Sequence, residues 1–155
     1  MKILFLCTGN SCRSQMAEGF ARQYAGSGIA AESAGIEAHG LNPRAVTVMA
    51  EAGIDISGHT SDVFSVDSVG PSDLVVTVCD QARESCPRLP ATVSQIHWSF
   101  PDPAKATGSD DEIMFVFRAV RDAIDERVRA LVEGMAREHG RKSRPSAGPR
   151  PVRRH

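Results

Sequence analysis

The feature that most constrains the fold of this chain is an apolar run near its start that leads into a short polar loop and then a helix. Residues 3–6 are Ile-Leu-Phe-Leu, which is typical of a buried strand. Residues 7–14 follow as Cys-Thr-Gly-Asn-Ser-Cys-Arg-Ser, and a helical apolar pattern begins at about residue 14. We therefore predict a strand over 2–6, a loop over 7–14 and a helix over 14–26.

The rest of the chain continues the alternation of strands and helices. The further predicted strands are 29–34, 73–78 and 93–97, and the further predicted helices are 43–52, a short segment within 61–68, and 110–138. This order predicts a parallel sheet that is covered by helices. Ligands bind such sheets at the carboxyl ends of the strands, where Cys7, Cys79 and His97 all fall. We expect these three residues to meet in one crevice.

Length and composition indicate an ordinary globular protein. The chain has 155 residues, enough for one domain with a substantial core, and no apolar run approaches the roughly 20 residues of a membrane span. Residues 1–2 lead straight into a strand, so we predict no signal peptide and no membrane partner. Four cysteines are few for a disulfide scaffold, which favours a cytoplasmic protein with reduced, chemically active thiols.

The charge is distributed unevenly along the chain. Residues 141–155 contain six basic residues and no acid. Since the net charge of the whole chain is −1, residues 1–140 have a net charge of −7. The segment 141–155 also has three prolines and few apolar residues, and we predict that it is a disordered tail beyond a domain over 1–140. An acidic body argues against nucleic acid as a partner. Without a large exposed apolar stripe, a monomer is expected.

The loop after the first strand has the residues of an anion cradle with a nucleophile at its base. Backbone N–H groups of the loop and of the helix start attract anions, and the oxyanion-binding residues are predicted to be Thr8, Gly9, Asn10, Ser11, Cys12 and Arg13. Gly9 allows close approach of a ligand, and Arg13 can hold two oxygens at once. The positive field favours the thiolate of Cys7, which becomes the candidate nucleophile. Cys12 is interpreted as a packing residue of the loop.

A second pair of thiols follows the strand predicted over 73–78. Cys79 and Cys86 are seven positions apart, which in a helix corresponds to about 10.5 Å. A disulfide requires Cα atoms about 4.4–6.8 Å apart, so a helical segment has to unwind before the two can bond. The pair is interpreted as a redox switch, with two unrelated buried thiols as the alternative. The cysteine spacings do not fit a zinc site.

One carboxylate is held between two prolines. Asp102 lies in the run Phe-Pro-Asp-Pro, which stiffens the backbone around it. A carboxylic acid beside an oxyanion can protonate a leaving oxygen. The alternative is that Asp102 only forms a turn.

These motifs together resemble one family. The residues Cys7 to Gly19, the Cys79 and Cys86 pair, and His97-Trp98 leading to Asp102-Pro103-Ala104-Lys105 are similar to the thioredoxin-coupled arsenate reductases, over roughly residues 1–138. The resemblance implies the low-molecular-weight protein tyrosine phosphatase fold, a single-domain α/β fold of three layers with a four-stranded parallel sheet and helices on both faces. The phosphatases place tyrosines after the Asp-Pro, whereas Ala104 and Lys105 here suit a small inorganic oxyanion.

The resemblance implies reduction of arsenate to arsenite by a relay of three thiols. Cys7 attacks arsenate, Asp102 protonates the departing oxygen, and Ser14 holds the Cys7 thiolate ionised. Cys79 then attacks the Cys7 adduct, and Cys86 attacks Cys79 by thiol–disulfide exchange. Phosphate and sulfate are expected to compete with arsenate. The external reductant is expected to be thioredoxin, with glutaredoxin or a small thiol as the alternative, and no tightly bound cofactor is expected.

The resemblance also implies a monovalent cation, potassium or sodium, beside the loop. Its ligands would be Asn10, Glu18, Ser33, Thr60 and Asp62. The alternative at these positions is a hydrogen-bond network without an ion. For the whole protein, a phosphatase acting on aryl phosphates is the main alternative to the reductase. A non-enzymatic oxyanion or redox sensor is a further one.

Overall fold

Strands and helices alternate through the part of the chain that the computed structural model describes, residues 1–26 and 28–143. The strands are β1 (Lys2–Cys7), β2 (Ala30–Gly35), β3 (Leu74–Thr77) and β4 (Ser94–His97). The α-helices are α1 (Arg13–Tyr24), α2 (Pro43–Glu51), α3 (Asp80–Ser85) and α4 (Asp110–Ser143). Two short 3-10 turns cover Val66–Ser68 and Pro103–Lys105.

The four strands form one parallel sheet in the order β2-β1-β3-β4. Every residue of β3, and every residue of β1 after Lys2, is buried. Because consecutive side chains of a strand point to opposite faces, this burial requires both faces of the sheet to be covered. The predicted three-layer α/β fold with a four-stranded parallel sheet is therefore confirmed.

The apolar faces predicted for the two longest helices lie against the sheet and each other. α1 packs on β1, β2 and α4, and buries Phe20 and Ala21 among other residues. The core stripe of α4 recurs every three or four residues and consists of Phe117, Val120, Ile124, Val128 and Val132. No helix in the described ranges is long and apolar enough to cross a membrane.

The short helix predicted for 61–68 forms only at the end of that segment. Only Val66–Ser68 form a 3-10 turn, while the residues before it run extended beside the end of β2. Gly35 donates its N–H to the carbonyl of Asp62 at 2.8 Å and accepts from the N–H of Phe64 at 2.8 Å. These bonds occupy the backbone groups that a helix over the same residues would need.

The last helix is longer than predicted. The prediction ended it at 138, whereas α4 continues to Ser143 and so includes the first three residues of the predicted tail. Only Gly140 in this stretch is a poor helix former, at a cost of about 1 kcal/mol. The rest of the tail prediction, 144–155, lies outside the described residues. The other predicted elements match within one or two residues at each end.

Candidate active site

The loop between β1 and α1 lines a cavity of about 500 Å³ at the carboxyl edge of the sheet. Cys7 is the last residue of β1 and is only 3% exposed, yet it reaches the cavity. Asn10 has a positive φ of 49°, which turns the chain so that its N–H donates to Cys7 Sγ at 3.2 Å. Of the residues predicted to bind an oxyanion, Asn10 is fully buried and does not line the cavity. The others line it: Thr8, Gly9, Ser11, Cys12 and Arg13.

The loop is fixed from below by the segment that follows β2. The carbonyls of Cys7, Thr8 and Gly9 accept backbone N–H groups of residues 36–39 at 2.8–3.0 Å. These bonds neutralise the negative ends of the loop peptides, which would otherwise repel an anion. Gly35 permits the close contact, since a Cβ there would lie 2.3 Å from the carbonyl oxygen of Glu37 and 2.7 Å from the N atom of Asn10.

A chain of hydrogen bonds with one direction ends on the Cys7 sulfur. Asn10 Oδ1 accepts the N–H of Asp62 at 2.8 Å, which fixes the amide so that Nδ2 faces Ser14. Asn10 Nδ2 donates to Ser14 Oγ at 2.9 Å, and Ser14 Oγ lies 2.8 Å from Cys7 Sγ. Because the serine oxygen already accepts from Asn10, its own hydrogen is free to point at Cys7. Ser14 can therefore donate a hydrogen bond to the Cys7 sulfur.

Arg13 and Asp102 meet at the side of the cavity. Arg13 Nη1 donates to the carbonyl of Phe100 at 3.0 Å, and its Nη2 lies 3.6 Å from Asp102 Oδ2. Asp102 Oδ1 accepts the N–H of Ala104 at 3.0 Å and so starts the turn Pro103–Lys105. Asp102 therefore does both things considered from the sequence: it forms a turn, and it presents a carboxyl group to the cavity.

Cys79 approaches the same loop from β3. It lies two residues after the end of β3, is 4% exposed and lines the cavity together with Cys7. Its Sγ lies 3.2 Å from Thr8 Oγ1 and accepts the N–H of Ala82 at 3.3 Å, which caps the start of α3. The predicted meeting of strand ends thus brings two thiols to one cavity.

Cys86 stands at the opposite end of α3. The segment between Cys79 and Cys86 is helical over Asp80–Ser85. The sequence alone did not decide whether this segment is a helix, which would have to unwind before a disulfide could form. All four cysteines are free thiols, and Cys86 is half-buried. Burial raises the pKa of the Cys86 thiol above its ordinary value. In this arrangement Cys86 is neutral and distant from its predicted partner.

Cys12 differs from the other thiols in its surroundings. Burial raises its pKa to about 12, although Ser11 lies close enough to oppose the shift. At neutral pH the group is therefore a thiol and a poor nucleophile. This agrees with its interpretation as a packing residue of the loop.

The five residues predicted to hold a cation belong to one polar cluster. Ser33 donates to Glu18 at 2.6 Å, Thr60 donates to Asp62 at 2.8 Å, and Asn10 accepts from Asp62. The cluster is rich in oxygen, as a hard cation requires. However, the Arg22 guanidinium already lies 2.8 Å from Glu18, and no buried side-chain polar atom of the described residues lacks a partner. This closed network does not by itself call for an ion, and the cation stays a prediction.

Sequence reasoning missed several residues of the cavity wall. Besides the predicted residues, which include Ala104 and Lys105, the cavity is lined by His39, Asp80, Gln81, Ser99 and Phe100. His39 follows the carboxyl end of β2. The rule that ligands bind at the carboxyl ends of parallel strands, which selected Cys7 and Cys79, therefore applied to His39 as well. His97 lies beside the site rather than in its wall, and its Nε2 is 2.9 Å from Asp80 Oδ1.

Comparison with known proteins identifies the class of protein. The chain belongs to the low molecular weight phosphotyrosine protein phosphatase family, whose profile matches residues 2–141. The arsenate reductase of Bacillus subtilis (strain 168) is 54% identical over 131 residues, which are 84% of this chain and 94% of that protein.

Two solved structures extend this comparison. An arsenate reductase in the phosphate binding state superposes with a TM-score of 0.64 at 36% identity, over 86% of this chain and 97% of that one. The thioredoxin-dependent arsenate reductase of Corynebacterium glutamicum gives a TM-score of 0.69 at 26% identity, over 88% of this chain and 62% of that one. The resemblance that the loop and the cysteines indicated is thereby confirmed.

Proposed function

We propose that this protein is an arsenate reductase, which passes two electrons from its thiols to arsenate and releases arsenite. The observation that carries the proposal is that Cys79 lines the same cavity as Cys7, with Cys86 at the far end of the helix that Cys79 caps. Hydrolysis of a phosphate ester requires one thiol only. The second and third thiols therefore favour redox chemistry, and the names of the relatives support arsenate as the oxidant.

The first step would join arsenic to Cys7. The loop N–H groups and Arg13 hold the arsenate oxygens while the Cys7 thiolate, stabilised by Ser14, attacks arsenic. An arsenic–sulfur bond forms and an arsenic–oxygen bond breaks. Asp102 supplies a proton, so that the departing oxygen leaves as water.

The next steps would move the oxidising equivalents away from the site. Cys79 attacks the Cys7 sulfur, a disulfide forms, and the electron pair of the arsenic–sulfur bond stays on arsenic, which leaves as arsenite. Thr8 Oγ1 and the N–H of Ala82 both reach Cys79 Sγ and would stabilise it as a thiolate. Cys86 then attacks Cys79, which frees Cys7 and leaves the Cys79–Cys86 disulfide.

A thiol reductant has to close the cycle. We propose thioredoxin, because a relative of known structure is thioredoxin-dependent and because the final disulfide joins two protein thiols. A cycle of this kind requires a reducing compartment, which favours the cytoplasm. We further propose that the protein works as a monomer without a nucleic acid partner, and that phosphate competes for the loop.

The test is arsenate-dependent oxidation of NADPH in the presence of thioredoxin and thioredoxin reductase. Wild type should turn over, and Cys79→Ser and Cys86→Ser should each abolish multiple turnovers. Cys12→Ser is the matched thiol control and should lose far less activity. Hydrolysis of an aryl phosphate, measured alongside, should survive in Cys79→Ser, which would show that the variant still folds and binds an oxyanion.

A phosphatase is the second candidate function. The loop, Arg13 and Asp102 also suit hydrolysis of an aryl phosphate, and the family profile carries the name of such enzymes. Strong phosphatase activity without arsenate turnover, tested with thioredoxin, glutaredoxin and small thiols, would favour this candidate. Under that outcome Cys79 and Cys86 would have no role in turnover.

A further inference from the structure

The inference concerns helix α3 and rests on the proposed three-thiol relay. Cys79 and Cys86 flank α3, so their Cα atoms are separated by about 10.5 Å of helical rise. Their disulfide needs a separation of about 4.4–6.8 Å. The helix must therefore stay folded while Cys7 reacts and unwind when Cys86 reacts.

Little apolar burial holds α3 in place. Ala82 is the one residue of the helix that is buried. The polar contacts are more specific: Asp80, the first residue of α3, has its Oδ1 atom 2.9 Å from His97 Nε2 at the end of β4. His97 Nδ1 in turn lies 2.7 Å from the hydroxyl of Thr77, which is fully buried in β3.

These three side chains form a continuous hydrogen-bond chain. An ionised carboxylate only accepts hydrogen bonds, so His97 Nε2 carries the proton that faces Asp80. The Thr77 hydroxyl lies 2.7 Å from His97 Nδ1 and 3.4 Å from the carbonyl oxygen of Ile96. The imidazole thereby connects the buried edge of the sheet to the first residue of α3.

We propose that Thr77, His97 and Asp80 form a latch that stabilises α3 as a helix and so disfavours the Cys79–Cys86 disulfide. The latch keeps Cys79 at the cavity, beside Thr8, and prevents it from pairing early with Cys86. Early pairing would remove Cys79 before it could attack the Cys7 adduct. His97 and Asp80 are positioning residues in this scheme, since they act on the sulfur through α3.

The test measures Cys79–Cys86 disulfide formation directly, without arsenate. Full-length protein with Cys7→Ser and Cys12→Ser is equilibrated with mixtures of oxidised and reduced dithiothreitol. Dithiothreitol disulfide accepts two electrons and two protons from the two thiols, and alkylation with mass spectrometry gives the equilibrium constant. Asp80→Ala and His97→Ala should each raise that constant by about threefold to tenfold, the effect of losing one hydrogen bond.

Two comparisons isolate the latch from other effects. Glu84→Ala removes an acid from the same helix without touching His97, and it should not raise the constant. In the double variant Asp80→Ala/His97→Ala, the constant should exceed that of either single variant by little, because both changes break the same bond. Amide hydrogen exchange should become faster in α3 while α1 stays protected, which a general loss of stability would not produce.

The outcomes separate the latch from the proposed reductase activity. Unchanged constants in Asp80→Ala, whose carboxylate is largely exposed and whose fold is not at risk, would overturn the latch. Fully additive effects of the two substitutions would overturn it as well. Absence of arsenate turnover in wild type would instead refute the reductase, since the dithiothreitol equilibrium requires no arsenate.

Discussion

At the scale of single residues, the loop that carries Cys7 depends on Gly35. A Cβ at this position would meet backbone atoms of Glu37 and Asn10 rather than a flexible side chain. We expect Gly35→Ala to lower the free energy of unfolding by about 1–3 kcal/mol, because the backbone has to move apart. Movement of Asn10 would also disturb the hydrogen bonds to Ser14 and Cys7. Urea denaturation and arsenate turnover measure the two effects.

Gly58→Ala provides the matched control for that substitution. A Cβ at Gly58 would contact nothing within 4 Å, so the change should be neutral or slightly stabilising. Equal stability losses in the two variants would contradict the argument from close approach.

A second prediction at this scale concerns the buried thiol of Cys12. Burial raises its pKa from an ordinary 9.0 to about 12 in the folded protein. Below pH 9 the thiol is neutral in both states and contributes no pH dependence. As the pH rises towards 12 the unfolded state releases the proton and the folded state does not, so stability falls by about 1.4 kcal/mol per pH unit.

Cys12→Ala should remove this part of the alkaline loss. The urea midpoints of wild type and variant between pH 8 and pH 11 give the two slopes, and their difference cancels the contributions of Tyr24 and the lysines, which titrate in the same range. Parallel slopes would mean that Cys12 ionises freely in the folded protein.

Some functional residues could be predicted from the sequence because their signal is local. Cys7 and Arg13 share one loop at a strand end, and Cys79 follows an apolar strand. The contact between His97 and Asp80 has no such signal, because it depends on β3 and β4 being neighbours and on α3 starting directly after Cys79. Register between strands is set by tertiary packing, which a spacing rule does not contain.

At the scale of elements, the proposed relay requires that helix α3 unwinds at a low cost in free energy. Six residues with one buried side chain make a marginal helix. Glu84→Pro removes a backbone donor and adds a clash inside α3, which costs a helix interior about 3 kcal/mol. We therefore expect Glu84→Pro to raise the equilibrium constant for the Cys79–Cys86 disulfide by tenfold or more.

The control for this substitution is Glu84→Ala, which removes the same side chain and favours the helix. Dithiothreitol equilibration of both variants gives the comparison. An equal constant in the proline and alanine variants would mean that the disulfide forms without unwinding α3, contrary to the distance argument.

The same scale shows why some elements were predicted well and others were not. The strands β1 and β3 are continuous apolar runs between polar loops, and their prediction needed no tertiary information. The segment 61–68 was predicted as a helix, but Val63 pairs with Gly35, which is 28 positions earlier in the sequence and adjacent only in the fold. Helix α4 continued past its predicted end because Gly140 alone does not stop a long helix.

At the scale of the whole molecule, one scaffold serves two kinds of chemistry within its family. The anion loop, Arg13 and Asp102 suit either a phosphate ester or arsenate. In the proposed function, the feature that distinguishes reduction from hydrolysis is the second thiol, Cys79, in the cavity, together with the third thiol, Cys86, at the end of α3. A parallel sheet makes this addition easy, because every strand ends at the same edge as the loop.

The final prediction concerns whether the reaction requires residues 144–155. All residues assigned to the relay lie between Cys7 and Asp102, and the family profile ends at residue 141. We expect a chain that ends after Ser143 to keep its catalytic efficiency with arsenate within about twofold at 0.15 M ionic strength, where charges beyond roughly 8 Å are screened. The deletion removes four arginines and makes the net charge −5 instead of −1, so dianionic arsenate is repelled more strongly.

That repulsion should appear only when screening is weak. At low ionic strength the shortened chain should lose efficiency relative to the full chain, and the difference should shrink as salt is added. The fluorescence spectrum of Trp98, which is buried between Phe5 and Phe100, checks that the shortened chain is folded. A large loss of turnover that persists at 0.15 M salt in a folded chain would mean that residues 144–155 take part in the reaction itself.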